Sequence, residues 1–107
     1  MKIKPNVHID HTSFRRPQVA RILWIAQEVA PPNYEVTITC GTEAHQPWTH
    51  HAKGEAFDIR TRDYQYDVHE WAKTMQNQLG SEYYVVVEPN DTCPNAPPHI
   101  HVQYNGI

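Results

Sequence analysis

The chain has 107 residues and a formal net charge of −3, the length of one domain with little room for a second core. Apolar residues make up 39% and aromatics 10%, enough for a packed interior, yet no apolar run is long enough to span a bilayer. Arg15 and Arg16 are adjacent, but two charges at a helix start do not form the basic stripe of a nucleic-acid-binding protein.

At the N-terminus, Met1-Lys2-Ile3-Lys4-Pro5 lacks the apolar core of a signal peptide. Either the protein stays in the cytoplasm until released by other means, or a signal has been removed. The first predicted element is a helix from about Pro17 to Ala30. Proline suits its first turn, Val19, Ile22, Ala26 and Val29 recur at helical spacing, and Pro31-Pro32 stops it. Tyr34 to Cys40 alternates, with Tyr34, Val36, Ile38 and Cys40 on one face and Thr37 and Thr39 on the other, which predicts a half-buried strand ended by Gly41.

Thr42 to Gly54 reads as a loop, of a length that in so small a domain is usually functional or disordered, and its three histidines argue against idle disorder. Glu55 to Arg60 is a second strand. Asp67 opens a second helix, with Glu70 as its capping-box partner, Val68, Trp71, Ala72, Met75 and Leu79 as its buried stripe, and Gly80 as its C-terminal cap. Glu82 to Glu88 is a third strand, Asn90 to Pro98 a proline-rich excursion, and His99 to Tyr104 the last strand. The order predicts a single α+β domain spanning residues 1–107, with a small antiparallel sheet and two main helices. Cys40 and Cys93 leave a disulfide and two free thiols equally open. They exclude a zinc site made of cysteine alone, which needs four ligands.

Histidine is the unusual entry, at eight residues. His8 and His11 lie near the N-terminus, His45, His50 and His51 share the long loop, and His69 stands alone on a helix surface. His99 and His101 flank one residue on a predicted strand, so their side chains point the same way while Ile100 and Val102 point to the core. Asp58 lies between Phe57 and Ile59, and a carboxylate so close to a core needs a compensating partner, either a metal or an arginine. Arg60 shares its strand face and is the simplest such partner. His51 precedes Asp58 by seven positions, and Gly54 between them permits a tight turn. Two histidines and one aspartate, with one position left for water, have the composition of a catalytic zinc site.

The segment Thr49-His50-His51-Ala52-Lys53-Gly54-Glu55-Ala56-Phe57-Asp58-Ile59 resembles the Ser-x-His-x-x-Gly-x-Ala-x-Asp-Ile signature of a zinc peptidase family. Its members include D-alanyl-D-alanine carboxypeptidases and L-alanyl-D-glutamate endopeptidases of the endolysin type. Thr49 stands where that family usually has serine. Pro98-His99-Ile100-His101-Val102 resembles its His-Ile-His-Val ending, and Ala56 to Asp63 is similar to small phage-encoded members. The resemblance covers roughly Tyr34 to Tyr104 and implies a Hedgehog/DD-peptidase-like fold. It also implies zinc held by His51, Asp58 and His101, with His99 beside the metal as a partner of the tetrahedral intermediate. The expected reaction is hydrolysis of a peptide bond in peptidoglycan stem peptides by a monomer, with no nucleic-acid partner and no membrane span.

One departure stands out. The family places an acid or another histidine a few residues before the final ligand, and Pro98 occupies the position three before His101. Proline transfers no proton, so Glu88, at the end of the Val85-Val86-Val87 strand, becomes the expected base. Arg60, His45 and His50 are the expected substrate contacts. A competing expectation is a zinc-containing cell-wall-binding or phage structural domain without catalysis, in which a fourth side chain such as His45 or His50 would close the metal position.

Overall fold

A computed structural model describes residues 1–7, 16–41, 55–91, 94–95 and 97–105. Its elements in chain order are β1 (Lys2–Ile3), α1 (Pro17–Glu28), β2 (Thr37–Cys40), β3 (Ala56–Arg60), α2 (Val68–Leu79), β4 (Tyr83–Glu88) and β5 (His99–Tyr104). The strands form one sheet in the order β1-β2-β3-β5-β4. The fold is α+β as expected, but the sheet is mixed and not antiparallel, because β1 runs parallel to β2. Two residues are too few to show a period, so nothing local marks β1. Its place is fixed from outside, by Lys2 N–H donating to Val36 O at 2.7 Å and Lys4 N–H to Ile38 O at 2.9 Å.

Proline opens α1 at the expected position. The helix ends at Glu28, short of Ala30, and Val29 N–H closes the last turn on Ile25 O. Its buried stripe is wider than the spacing predicted, adding Leu23 and Ile25 to Val19, Ile22 and Ala26. In α2, Asp67 Oδ1 accepts from the backbone N–H of His69 at 2.9 Å and of Glu70 at 3.2 Å. That is the N-cap half of the expected capping box. Gly80 caps the other end at φ 101°, a left-handed backbone that favours glycine. Arg21 of α1 reaches across to the last carbonyls of α2, donating to Leu79 O at 2.8 Å and Gln78 O at 2.7 Å.

Each helix clamps the strand segment that follows it with one glutamine. Gln27 donates to Tyr34 O at 2.7 Å and accepts from Val36 N–H at 3.0 Å. Gln76 does the same to Tyr83 O at 2.8 Å and Val85 N–H at 3.0 Å. This explains why β2 begins at Thr37 and not at Tyr34. Along Tyr34 to Val36, the Tyr34 carbonyl and the Val36 N–H take a side-chain amide as their partner, and Val36 O reaches a strand, at Lys2. On β4, an edge strand, the clamp also covers backbone groups that would invite pairing with another chain.

The core lies between the helices and one sheet face. Phe57, Ile59, Ile100 and Val102 are fully buried there against Ile22, Met75 and the rest of the helical stripes. Tyr64 stacks on Trp71 with centroids 4.5 Å apart, and Trp71 Nε1–H donates to Ala26 O. Alternation is broken in β2, where Thr37 is buried beside Val36 and Ile38 and the register shifts between Ile38 and Cys40, and at the start of β3, where Ala56 and Phe57 are both buried. No described helix is long and apolar enough to cross a membrane.

Candidate active site

Alternation sends Phe57, Ile59, Ile100 and Val102 into the core, so Asp58, Arg60, His99 and His101 face away from the helices. Strand register then decides which of them meet. Asp58 is opposite His101, and Arg60 is opposite His99. On the other flank of β5, Glu88 is opposite His99 and Val86 opposite His101. Residues directly opposite across an antiparallel pair share a face and touch. Five of the expected site residues, Asp58, Arg60, Glu88, His99 and His101, therefore occupy one patch built on three adjacent strands. His45, His50 and His51 lie outside the described residues, as does Cys93.

His101 is held at both ring nitrogens, Nδ1 3.0 Å from Asp58 Oδ1 and Nε2 2.6 Å from Gln103 Oε1. Gln103 Nε2 in turn donates to Asn105 Oδ1 at 2.7 Å, which fixes the amide with its oxygen toward the imidazole. Burial alone would lower the His101 pKa. The hydrogen bonds to Asp58 and Gln103, with the charges of Asp58 and Glu88, outweigh burial and leave it raised.

Nε2 faces the Gln103 amide and Nδ1 faces a carboxylate oxygen, a placement that a shared proton or a metal can bridge. Two ligands of one tetrahedral zinc at ~2.0–2.1 Å stand about 3.4 Å apart, close to the separation seen here. A ligating histidine also typically donates its second N–H to an oxygen acceptor, as His101 does. Asp58 and His101 thus fit two positions of a zinc site. Among the described residues no group of three or more His, Cys, Asp or Glu is arranged to hold a metal ion. The third expected ligand, His51, is outside them.

His99 Nδ1 is 2.6 Å from Pro97 O, so that nitrogen donates. Its Nε2 points between Glu88 Oε1 at 3.6 Å and Asp58 Oδ1 at 3.7 Å. The expected pairing of Arg60 with Asp58 is not made. Among the described residues Asp58 takes the two histidines, and no ion pair joins it to Arg60. The cause is direction: neighbours two apart on a strand stand side by side, whereas the cross-strand histidines project toward Asp58. A cleft of about 380 Å³ opens over Asp58 and His99, walled by Arg60, Pro97 and Pro98. Glu88 is not among its lining residues, but its Oε1 lies 3.6 Å from Nε2 of His99, which is.

Sequence reasoning missed Gln103 and the Pro97 carbonyl. Gln103 was recoverable, since it follows His101 by two on the same strand and so shares its face. The Pro97 carbonyl was not, because it depends on the path of the excursion. Comparison with protein-family models, with curated proteins and with solved structures found no match.

Proposed function

We propose that this chain is a zinc-dependent peptidase of the Hedgehog/DD-peptidase type that hydrolyses a peptide bond in bacterial cell-wall stem peptides. The observation that carries the reading is the His101–Asp58 contact. It joins a doubly anchored imidazole and a carboxylate, both recruited from the two motifs whose resemblance suggested zinc, at a separation suited to one shared ion. Asp58, His101 and, from the loop before β3, His51 would hold the metal, which supplies a water acidified toward neutral pH and a Lewis acid for the scissile carbonyl.

The chain's own groups do the remaining work. Gln103 orients His101 and fixes its tautomer. Glu88 accepts the proton of the attacking water at Oε1 and returns it to the leaving nitrogen. His99 supports the developing oxyanion. Its Nδ1 donates to Pro97 O, which leaves Nε2 facing Glu88 and Asp58 at the cleft. The buried row Ile100, Val102 and Tyr104 sets the backbone from which His99, His101 and Gln103 project.

Metal analysis and product analysis together test the reading. The purified chain should carry one zinc, and His51→Ala and His101→Ala should each lose it. A chelator should lower the melting temperature, since ion binding that ties the His51 loop to β3 and β5 becomes folding energy. Mass spectrometry of digested peptidoglycan should show a cut stem peptide. Full zinc in both variants would sink the ligand assignment. A second reading, a zinc-containing wall-binding domain without turnover, is favoured by Pro98 at the position where the family places its acid. It predicts zinc and wall binding with no product.

A further inference from the structure

We infer that the cleft over Asp58 and His99 receives a doubly anionic ligand. Within the peptidase reading, on which this part rests, the substrate is then a peptide with two free carboxylates near the scissile bond.

Three cations line the cleft: Lys4, Arg60 and Arg62. They arrive from separate parts of the chain. Lys4 follows β1 and is drawn against β2 by its backbone bond to Ile38. Arg60 ends β3, and Arg62 stands in the turn just after it. Among the described residues none of the three makes an ion pair.

The two described arginines elsewhere behave differently. Arg16 pairs with Glu55 at 3.0 Å and lies over the Tyr104 ring. Arg21 caps the end of α2. Arg16 and Arg21 are thus committed to the fold, whereas Arg60 and Arg62 make no ion pair among the described residues. Asp58, the sole carboxylate among the described lining residues, is engaged with His101 and His99. Among the described lining residues, three cations against one carboxylate leave an excess of two positive charges, in a chain whose net charge is −3.

The volume, about 380 Å³, falls within the ~300–1,000 Å³ of small-ligand pockets. Guanidinium forks match carboxylates in bidentate geometry, and a lysine adds a point charge of longer reach. An anion seated there lies directly beside His99, so recognition and chemistry share one wall.

The test uses the full-length, zinc-analysed chain and two synthetic peptides of one sequence. One carries two free carboxylates, and in the other the internal carboxylate is converted to its amide. Calorimetric Kd should favour the diacid about tenfold or more, and salt should narrow the preference. Lys4→Ala and Arg62→Ala should each collapse most of that ratio, while Lys73→Ala, on α2, should leave it intact. Thermal melts confirm that each variant is folded.

Equal affinity for the two peptides, or a ratio unchanged in both cleft variants, would overturn the inference. Displacement of the diacid by inorganic phosphate at comparable concentration would overturn the carboxylate assignment. The two readings fail separately. Selective binding with hydrolysis of neither peptide removes the peptidase and keeps the anion cleft. Hydrolysis of both with equal Kd removes the cleft assignment and keeps the peptidase.

Discussion

The two faces of β5 use opposite physics over the same six residues. Ile100, Val102 and Tyr104 are buried against the helices, and their contribution follows the apolar area removed from water, with little regard to direction. His99, His101 and Gln103 stand half-buried on the other side, and each side chain is tied to a named atom. A hydrogen bond or ion contact depends on angle and proton position, so it fails when register or protonation changes even if shape is kept. The helix-side face should therefore respond to lost volume, and the cleft-side face to lost chemistry.

The sharpest way to separate them is Glu88→Gln. The amide keeps size and shape but cannot take the proton. Turnover on a cell-wall peptide should fall ~100- to 10,000-fold, or about 3–5.5 kcal/mol of barrier, with zinc content and urea midpoint nearly unchanged. Wild-type turnover in this variant would remove Glu88 as base and leave His99, the side chain that lines the cleft, to be tested next. Phe57→Ala makes the converse cut, on the buried face of β3. Stability should drop about 3–5 kcal/mol, read as a lower urea midpoint, and residual activity should track the folded fraction. A loss under 1 kcal/mol would mean the core collapses around the gap.

The sheet edge offers an intermediate case. Gln76→Ala removes the clamp on Gly80, Tyr83 and Val85, and three part-buried backbone groups lose a partner at about 1–3 kcal/mol. Chemical denaturation measures the loss, and faster amide exchange at Val85 would localise it. Smallest of all should be Trp24→Ala. Trp24 is 63% exposed on α1, while its neighbours Leu23 and Ile25 are buried. The expected change is within ~0.5 kcal/mol, and a larger destabilisation would show that the indole covers more of the core than its exposure implies.

Much of this was encoded locally. Period two along His99–Tyr104 placed both histidines on one face and Ile100 and Val102 on the other. Asp67 and Gly80 marked the ends of α2, and Pro17 marked the start of α1. These signals survive because they depend on a residue and its near neighbours, whose geometry the backbone repeats impose. The long-range pairings were not encoded in that way. Nothing in the sequence of β1 announces a parallel strand, and Tyr34 to Val36 alternate like a strand yet are held by Gln27. Arg60 was the natural partner for Asp58 by proximity in sequence, but register gave Asp58 to His101 and His99 and left Arg60 facing the cleft with Lys4 and Arg62. Periodicity fixes which way a side chain points. What it meets there depends on how distant strands align, and that alignment is set by burial of the whole apolar face and closure of every backbone ladder at once.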